Sequence, residues 1–246
     1  KCQANIGKFI IFSHCFIFYA IIVTLYNSFL EGNQMNHKER MEQGLIYNPN
    51  LPEITGDQFV YMDKLWEFNQ LKPSQFAEKE RYMKEMFAEC GENCYIELPF
   101  RANWGGKNVH FGNGVYANFN LTLVDDGDIY IDDKVMFGPN VTIATANHPI
   151  DPGLREKAMQ YNKPVHICEN VWIGAGTVIV PGVTIGKNSV IGAGSVVTKD
   201  IPENVVAVGN PCRVLREIGE HEREYFYKKE RIDWENLGDI SYTPLG

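Results

Sequence analysis

An aliphatic residue recurs at every sixth position along residues 167–197, and a small or β-branched residue follows each by four positions. A period of six differs from the period of about 3.6 of an α-helix and the period of about 2 of a lone strand. It equals three strand periods, so each hexad predicts one short strand and a turn. Such hexapeptide repeats are typical of a parallel β-helix. The aliphatic series is Ile167, Ile173, Ile179, Ile185, Ile191 and Val197.

The same spacing occurs upstream, in two shorter series: Phe111, Ala117 and Leu123, then Ile131, Phe137 and Ile143. The step from Leu123 to Ile131 is two residues too long, which predicts a small excursion at residues 125–128. The step from Ile143 to Ile167 preserves the phase although residues 146–163 lack the pattern, so we expect that segment to leave the β-helix as a loop. With three hexads per coil, this count predicts about four coils.

Residues 35–91 carry helical patterns and predict a cap over the first coil, which would cover an open sheet edge. Residues 36–44 predict a short polar helix, and residues 53–71 place large apolar side chains at helical spacing. Ser74 is a suitable N-cap for a third helix, which we expect Gly91 to end. The apolar positions of the second helix are Phe59, Met62, Leu65, Trp66 and Phe68, and those of the third are Phe76, Met83, Met86 and Phe87.

The two ends of the chain are interpreted as appendages. Residues 9–30 lack charges and have the length of a membrane span. However, Met35 opens a polar segment typical of a protein start, so we interpret residues 1–34 as an extension outside the functional unit. Membrane contact is expected only if residues 9–30 are a true anchor. The β-helix domain is predicted at residues 92–212 and a charged tail at 213–246.

Composition restricts the partners and the compartment. The formal net charge of −8 argues against nucleic acid as a partner, because binding phosphates needs a basic face. The six cysteines have no Cys-x-x-Cys spacing, which favours free thiols in a reducing compartment. We therefore expect a cytoplasmic protein.

The candidate chemistry starts at the predicted loop, which opens with Asn147-His148-Pro149. Pro149 keeps His148 out of the helical region. Asn118 at a repeat corner, Asp125-Asp126 in the small excursion and Trp172 lie on neighbouring coils. A base, an amide donor, a carboxylate and an aromatic wall are suited to general-base acyl transfer to a hydroxyl. The plain alternative for His148 is a surface histidine in a turn.

Several stretches together resemble the galactoside/maltose O-acetyltransferase family, whose pattern nodulation-type sugar acetyltransferases share. The resemblance covers about residues 40–218. It rests on YANFNLTLVDD at 116–126, His148-Pro149, NVWIG at 170–174, PGVTIG at 181–186, IGAGSVVTKD at 191–200 and GNP at 209–211.

The resemblance implies a mainly β fold, a left-handed parallel β-helix of hexapeptide repeats with an N-terminal helical cap. It implies acetyl-CoA as cosubstrate, no required metal, and transfer of the acetyl group to a hydroxyl of a galactoside, glucoside or maltose. It also implies a homotrimer with active sites between subunits. That assembly agrees with the geometry of a prism, because a neighbouring prism can supply the second wall of a site on a flat face.

The resemblance also assigns roles to residues. His148 would be the general base, and Asn118 would stabilise the tetrahedral intermediate and contact acetyl-CoA. Acceptor contacts would come from Asn48, Asn103, Asp126 and Gln160. Acetyl-CoA contacts would come from Asn118, Trp172, Ala175, Ala193, Thr198, Lys199, Arg213 and Arg216. Two departures concern the acceptor: Asn48 stands where the family usually has Asp, and residues 100–108 hold one extra residue, which affects the assignment of Asn103.

Three other functions use the same scaffold. An antibiotic acetyltransferase would share the fold, the donor and the histidine base. A zinc carbonic anhydrase-like β-helix would need three histidine ligands, for which His110, His148 and His166 are available, but the predicted loop at 146–163 breaks their stacking. A non-catalytic β-helix scaffold would leave His148-Pro149 and the Arg213/Arg216 pair without a role.

Overall fold

The computed structural model describes residues 35–238 and 240–241, and the apolar run at residues 9–30 lies outside them. The chain forms a three-faced parallel β-solenoid. Face 1 holds β1 (Glu89–Cys90), β4 (Val109–Phe111), β7 (Ile129–Ile131), β12 (Val165–Ile167) and β15 (Thr184–Ile185). Face 2 holds β2 (Tyr95–Ile96), β5 (Tyr116–Ala117), β8 (Met136–Phe137), β13 (Trp172–Ile173), β16 (Val190–Ile191) and β18 (Val205–Val208). Face 3 holds β3 (Arg101–Ala102), β6 (Thr122–Val124), β9 (Thr142–Ala144), β14 (Val178–Ile179) and β17 (Val196–Val197).

The hexad aliphatics point inward and stack from coil to coil, as their period predicts. On face 1, Phe111 pairs with Ile131, Ile131 with Ile167, and Ile167 with Ile185. These side chains are at most 3% exposed. Parallel strands stack about 4.8 Å apart, so one large buried side chain per face and coil fills the prism. The predicted parallel β-helix is confirmed, and its left-handed coil stays a prediction.

The expected number of coils was too small. Face 2 contains six parallel strands, because the solenoid begins at Glu89 and continues past Ile201, which bridges to Ile185. The first coil has the six-residue spacing at Cys90, Ile96 and Ala102. Two of these residues are small, and the step from Ala102 to Phe111 is nine positions instead of six. The sequence pattern therefore did not reveal this coil.

Three helices precede the solenoid: α1 (His37–Glu42), α2 (Pro52–Phe68) and α3 (Phe76–Met86). The expected boundaries of α3 were wrong. Its N-cap is Gln75 instead of Ser74, and the Gln75 side chain accepts a hydrogen bond from the Lys72 N–H at 2.8 Å. The helix ends at Met86, because Phe87 is already extended and Glu89–Cys90 forms the first strand. Gly91 therefore lies at the first solenoid corner.

Helices α2 and α3 cover the first coil, as expected. Leu65, Phe68, Met83, Met86 and Phe87 join one continuous core with the inward residues of the first two coils. The other predicted apolar positions of these helices, Phe59, Met62, Trp66 and Phe76, are exposed. Among residues 35–238 and 240–241, none of the helices combines the length and the apolar character that a membrane crossing requires.

Residues 146–163 leave the solenoid between face 3 and face 1, as predicted. The excursion is an antiparallel ribbon of β10 (Ala146–Asn147) and β11 (Tyr161–Asn162), with the short helix α4 (Pro152–Glu156) between them. At the far end, β19 (Arg213–Glu217) pairs antiparallel with β18. The tail adds α5 (Glu220–Glu224) and a hairpin of β20 (Tyr225–Tyr227) and β21 (Glu230–Arg231).

Candidate active site

The edge where face 3 meets face 1, here edge 3–1, carries a buried carboxylate pair after β6. Asp125 is fully buried and accepts hydrogen bonds from the backbone N–H of Trp104 at 2.7 Å and of Gly106 at 2.9 Å. Burial raises the pKa of Asp125 to about 6, an effect that these N–H donors oppose. Asp125 therefore fixes the loop of the preceding coil, which includes Asn103.

Asp126 is the centre of a polar cluster at the same edge. Its carboxylate is 7% exposed and accepts from Asn103 Nδ2 and from Gln160 Nε2, each at 2.8 Å. Gln160 comes from the excursion, where its backbone pairs with Tyr47 in both directions. Burial, followed by the charge of Asp126, raises the pKa of the Tyr47 hydroxyl. Three of the four predicted acceptor residues, Asn103, Asp126 and Gln160, are thus joined directly by hydrogen bonds.

His148 lies at the exposed base of the excursion. Its Nδ1 is 2.8 Å from the carbonyl oxygen of Met159. A carbonyl oxygen can only accept, so Nδ1 carries the proton and donates it. In the neutral ring, Nε2 then has the free lone pair. The buried Pro149 and the Asn147 side chain, which accepts from the His148 N–H at 2.9 Å, hold the base of the loop.

A cleft of about 310 Å³ joins His148 to the Asp126 cluster. This volume is at the lower end of small-molecule sites. The N-terminal half of α2 forms the opposite wall. The lining residues are Pro49, Asn50, Ile54, Thr55, Gln58, Asn103, Trp104, Asp126, His148, Ala158 and Gln160.

The side chain of Asn48 is used by its own turn. Its Oδ1 accepts from the Asn50 N–H at 3.0 Å, and its N–H donates to Nδ1 of His37 at 3.0 Å. Pro49 and Asn50, which line the cleft, follow it directly. Asn48 therefore sits at the rim and shapes the loop that borders the cleft.

A different edge, edge 2–3 between faces 2 and 3, carries Asn118, Ala175 and Ala193. Asn118 follows β5, Ala175 follows β13 and Ala193 follows β16, so all three lie at one edge, with the coil of β8 between Asn118 and Ala175. Direct contacts connect the stack: the Gly194 N–H donates to the Ala175 carbonyl at 2.8 Å. Trp172 projects from face 2 beside this edge and is 51% exposed.

The remaining predicted cofactor residues lie further along the solenoid. Thr198 and Lys199 follow β17, at edge 3–1, and are exposed. Arg213 and Arg216 lie on β19 at the end of face 2. Arg216 forms an ion pair with Glu222, and Arg213 donates to the Cys212 carbonyl at 2.7 Å.

Within one chain, the predicted catalytic elements occupy two different edges of the solenoid. They do lie on neighbouring coils, yet Asn118 and Trp172 belong to edge 2–3 and face 2, whereas Asp126 and His148 belong to edge 3–1. A strand of face 3 separates the two edges, and three residues of strand span about 10 Å. Each hexad rotates the chain by one face, so residues on neighbouring coils need not share an edge.

The three histidines proposed for a zinc site are also apart. His110 and His166 both project from face 1, on opposite sides of Tyr130, with which each is paired in register. His148 is on the excursion and donates to Met159. The carbonic anhydrase-like arrangement is therefore not formed.

Comparisons with known proteins agree with this fold. Family models described as a bacterial transferase hexapeptide (six repeats) and a maltose acetyltransferase hexapeptide capping motif match residues 164–199 and 40–91. A galactoside O-acetyltransferase of Lactococcus lactis is 54% identical over 83% of this chain and 96% of its own length. The chain belongs to the galactoside O-acetyltransferase family.

Two further similar proteins support the assignment of this chain to the family. A galactoside O-acetyltransferase of Escherichia coli is 45% identical over 79% of this chain and 96% of its own length. A galactoside acetyltransferase solved in complex with coenzyme A is 44% identical and superposes with a TM-score of 0.78, covering 81% of this chain and all of its own.

The sequence did not point to three residues of the candidate site: Tyr47, Trp104 and Met159. Trp104 is 4% exposed, lines the cleft and takes part in fixing Asp125. Tyr47 bridges to Gln160, and Met159 acts through its backbone alone. A backbone acceptor leaves no trace in side-chain identity, so no sequence signal identifies Met159. The aromatic character of Trp104, beside two glycines in the extra-residue segment, was an available signal.

Proposed function

We propose that this acetyl-CoA-dependent sugar O-acetyltransferase uses His148 as its general base. The contact between His148 Nδ1 and the Met159 carbonyl carries the proposal, because it leaves Nε2 unprotonated. The cleft beside His148 is lined by one carboxylate and four side-chain amides, the groups that bind sugar hydroxyls. Acceptor and base are thereby close together.

The reaction follows from these positions. Nε2 of His148 takes the proton of an acceptor hydroxyl as the oxygen attacks the thioester carbonyl of acetyl-CoA. The negative charge of the tetrahedral intermediate falls on the former carbonyl oxygen, and the Asn118 amide stabilises it. Collapse breaks the carbon–sulfur bond. The His148 imidazolium then returns the proton to the CoA sulfur, which leaves the enzyme's protonation unchanged.

The acceptor is a sugar held by the Asp126 cluster. Asn103 and Gln160 each donate a hydrogen bond to Asp126 and so fix its two carboxylate oxygens. The remaining lone pairs of these oxygens accept hydrogen bonds from the hydroxyl groups of the sugar. Asn48 sets the rim of the cleft through its turn. A screen of galactosides, glucosides, maltose and hydroxylated antibiotics, with released CoA detected by a thiol reagent, tests the acceptor class. Turnover with antibiotics alone would favour the xenobiotic enzyme.

The active site is formed between subunits of a homotrimer. Edge 2–3 of one chain, with Asn118, meets edge 3–1 of its neighbour, with His148. The separation of the two edges in one chain supports this arrangement. Exposed apolar side chains lie on both surfaces: Met136 and Trp172 on face 2 are 46% and 51% exposed, and Ile150 on the excursion is 88% exposed. Such patches mark interaction surfaces.

Acetyl-CoA runs along the trimer groove, past Trp172, Ala175 and Ala193 of one subunit and Thr198 and Lys199 of the next. Small side chains at Ala175 and Ala193 let a long, thin cofactor approach the backbone. Arg213 and Arg216 provide positive charge for its phosphates. The free thiols Cys90, Cys94, Cys168 and Cys212 support a reducing, cytoplasmic location.

Subunit complementation tests the shared site. Asn118→Ala and His148→Ala homotrimers should each be nearly inactive. When the two variants are unfolded together and refolded as mixed trimers, about a quarter of the interfaces regain an intact Asn118 and an intact His148. Recovered activity near that fraction supports the proposal. If the mixed trimers stay as inactive as the parents, both residues act within one chain or the mechanism is wrong.

A further inference from the structure

The edge between faces 1 and 2, edge 1–2, has a glycine at most of its coils. Gly91, Gly112 and Gly186 each follow an inward residue of face 1. A side chain there would collide with the next coil: an added Cβ would lie 2.6 Å from the Asp133 nitrogen at Gly112 and 2.4 Å from the Glu203 nitrogen at Gly186. The repeat therefore prefers glycine at this edge.

Two neighbouring coils break this rule. Asp132 follows Ile131 and Cys168 follows Ile167, in the positions that glycine occupies on the coils before and after. Strands β7 and β12 pair with Ile131 opposite Ile167, so Asp132 and Cys168 stack directly at edge 1–2. Both side chains carry groups that bind metal ions, and both replace the residue that the fold favours.

A third ligand comes from the same strand as Cys168. His166 lies two residues earlier and projects outward, since Val165 and Ile167 on either side are buried. Its Nε2 is 2.9 Å from Asp132 Oδ1. One ligand atom from each of Asp132, His166 and Cys168 lies within 4.8 Å of the other two. All three residues are half-buried, and the side chains of His166 and Asp132 are each 43% exposed.

We propose that Asp132, His166 and Cys168 bind one divalent transition-metal ion of the zinc class. A carboxylate oxygen, an imidazole nitrogen and a thiolate sulfur form a ligand set that zinc accepts, with water completing a tetrahedron. The thiolate disfavours calcium and magnesium, which prefer oxygen ligands alone. The sequence argument against metal considered three histidines and the spacing of the cysteines, and the stacking of Asp132 on Cys168 emerges only from the fold.

The ion has a structural role and lies apart from the chemistry. Asp132 belongs to the coil before the excursion at 146–163, and His166 and Cys168 belong to the coil after it. The metal thus connects the two coils between which the excursion leaves the solenoid. His148 follows face 3, at edge 3–1, away from these three residues, so we expect a chelator to leave the turnover number unchanged.

Metal binding to the full chain tests the proposal. Protein is purified with a chelator, dialysed, and titrated with Zn²⁺ by calorimetry, and Co²⁺ is used as a spectroscopic probe of thiolate ligation. We expect one ion per chain, a cobalt–thiolate charge-transfer band and a raised Tm. Cys168→Ser and His166→Gln should each weaken the Kd at least tenfold, roughly the smallest cost of losing even an outer-shell partner. Cys168→Gly, which restores the repeat, should do the same without loss of fold.

Matched controls exclude binding elsewhere. Cys90→Ser changes another half-buried thiol, in strand β1 of face 1, and His110→Gln changes another histidine of that face. Both should bind zinc as the wild type does and keep the charge-transfer band. The proposal is overturned if the wild type binds no Zn²⁺ at micromolar concentration. It is equally overturned if the Cys168 and His166 variants bind as tightly as the wild type.

Discussion

Nδ1 of His148 lies 2.8 Å from the main-chain carbonyl oxygen of Met159, eleven residues further along the excursion. The contact selects one tautomer of the ring and sets its orientation without a charged partner. In a histidine–aspartate pair, a carboxylate would also stabilise the imidazolium electrostatically. Here a neutral carbonyl provides the orientation, and its dipole provides a weaker stabilisation of the charged ring. In the proposed mechanism, the excursion therefore orients the base as well as forming a wall of the cleft.

Replacing His148 with alanine should lower kcat by roughly two to four orders of magnitude, the usual contribution of general-base catalysis. The acetyl-CoA affinity should change little, because the interaction is made mainly in the transition state. Steady-state kinetics and calorimetric binding of acetyl-CoA separate the two effects. The exposed His221 of α5 provides a matched control, and His221→Ala should keep full activity. If the kcat of the His148→Ala enzyme is within tenfold of the wild-type value, His148 is an ordinary turn residue and not the general base.

The fold was predictable because its signal is repetitive and local. Ile167 to Val197 determine the period, and each inward residue makes the same contact as its equivalent one coil away. The edges were harder to predict, because assigning Asn118 to edge 2–3 and His148 to edge 3–1 requires counting faces as well as coils. The first coil was missed for a related reason, since Cys90 and Ala102 are inward residues without aliphatic character.

Asp126→Asn should lower kcat/KM for the sugar acceptor. The new amide would place an NH₂ group against the Asn103 or Gln160 amide, which now donate to Asp126 at 2.8 Å. Losing hydrogen bonds to a charged group costs about 1.5 to 3 kcal/mol, or roughly 10- to 150-fold. The KM for acetyl-CoA should stay within about twofold, because Asp126 hydrogen-bonds to Asn103 and Gln160, neither of which is a predicted cofactor residue.

The control for this change is Asp128→Asn. Asp128 is in the same turn, is exposed and contacts Nε2 of His110 at 3.1 Å, on the face 1 side. Acceptor kinetics of Asp128→Asn should match the wild type. Equal losses in the two variants would mean that the turn as a whole, and not the Asp126 cluster, determines acceptor binding.

Arg216→Ala should raise the KM for acetyl-CoA with kcat nearly intact. The residue is exposed and pairs with Glu222, so its interaction with a phosphate is partly screened by solvent, and we expect roughly a three- to tenfold change. Glu222→Gln should act in the opposite direction, because removing the competing carboxylate frees Arg216 for the cofactor. Initial rates at varied acetyl-CoA measure both. An unchanged or higher KM in Glu222→Gln would show that the ion pair positions Arg216 instead of competing for it.

The four predicted acceptor residues differ in how well the sequence predicted their positions. Asp126, Asn103 and Gln160 carry their chemistry in their side chains, and the structure brings these three together. Asn48 was expected to join them, but its Oδ1 accepts from the Asn50 N–H. A short loop with an asparagine often closes on its own backbone. The choice between that turn and an outward side chain depends on loop geometry, which the residue types alone do not define.

The buried Asp125 should make stability fall as pH rises between about 4 and 6. Its pKa in the folded protein is raised from 3.8 to about 6 by burial. Within that window the folded state keeps a proton that the unfolded chain has released, so stability decreases with pH. The loss is complete above about pH 6 and amounts to about 3 kcal/mol.

Asp125→Asn removes this titration. Its urea unfolding free energy should therefore fall less between pH 4 and 6 than that of the wild type, at equal protein concentration. Asp128→Asn, which changes an exposed carboxylate in the same turn, should keep the wild-type slope. If Asp125→Asn and the wild type show the same pH dependence, Asp125 is ionised throughout this range and its two N–H donors outweigh its burial.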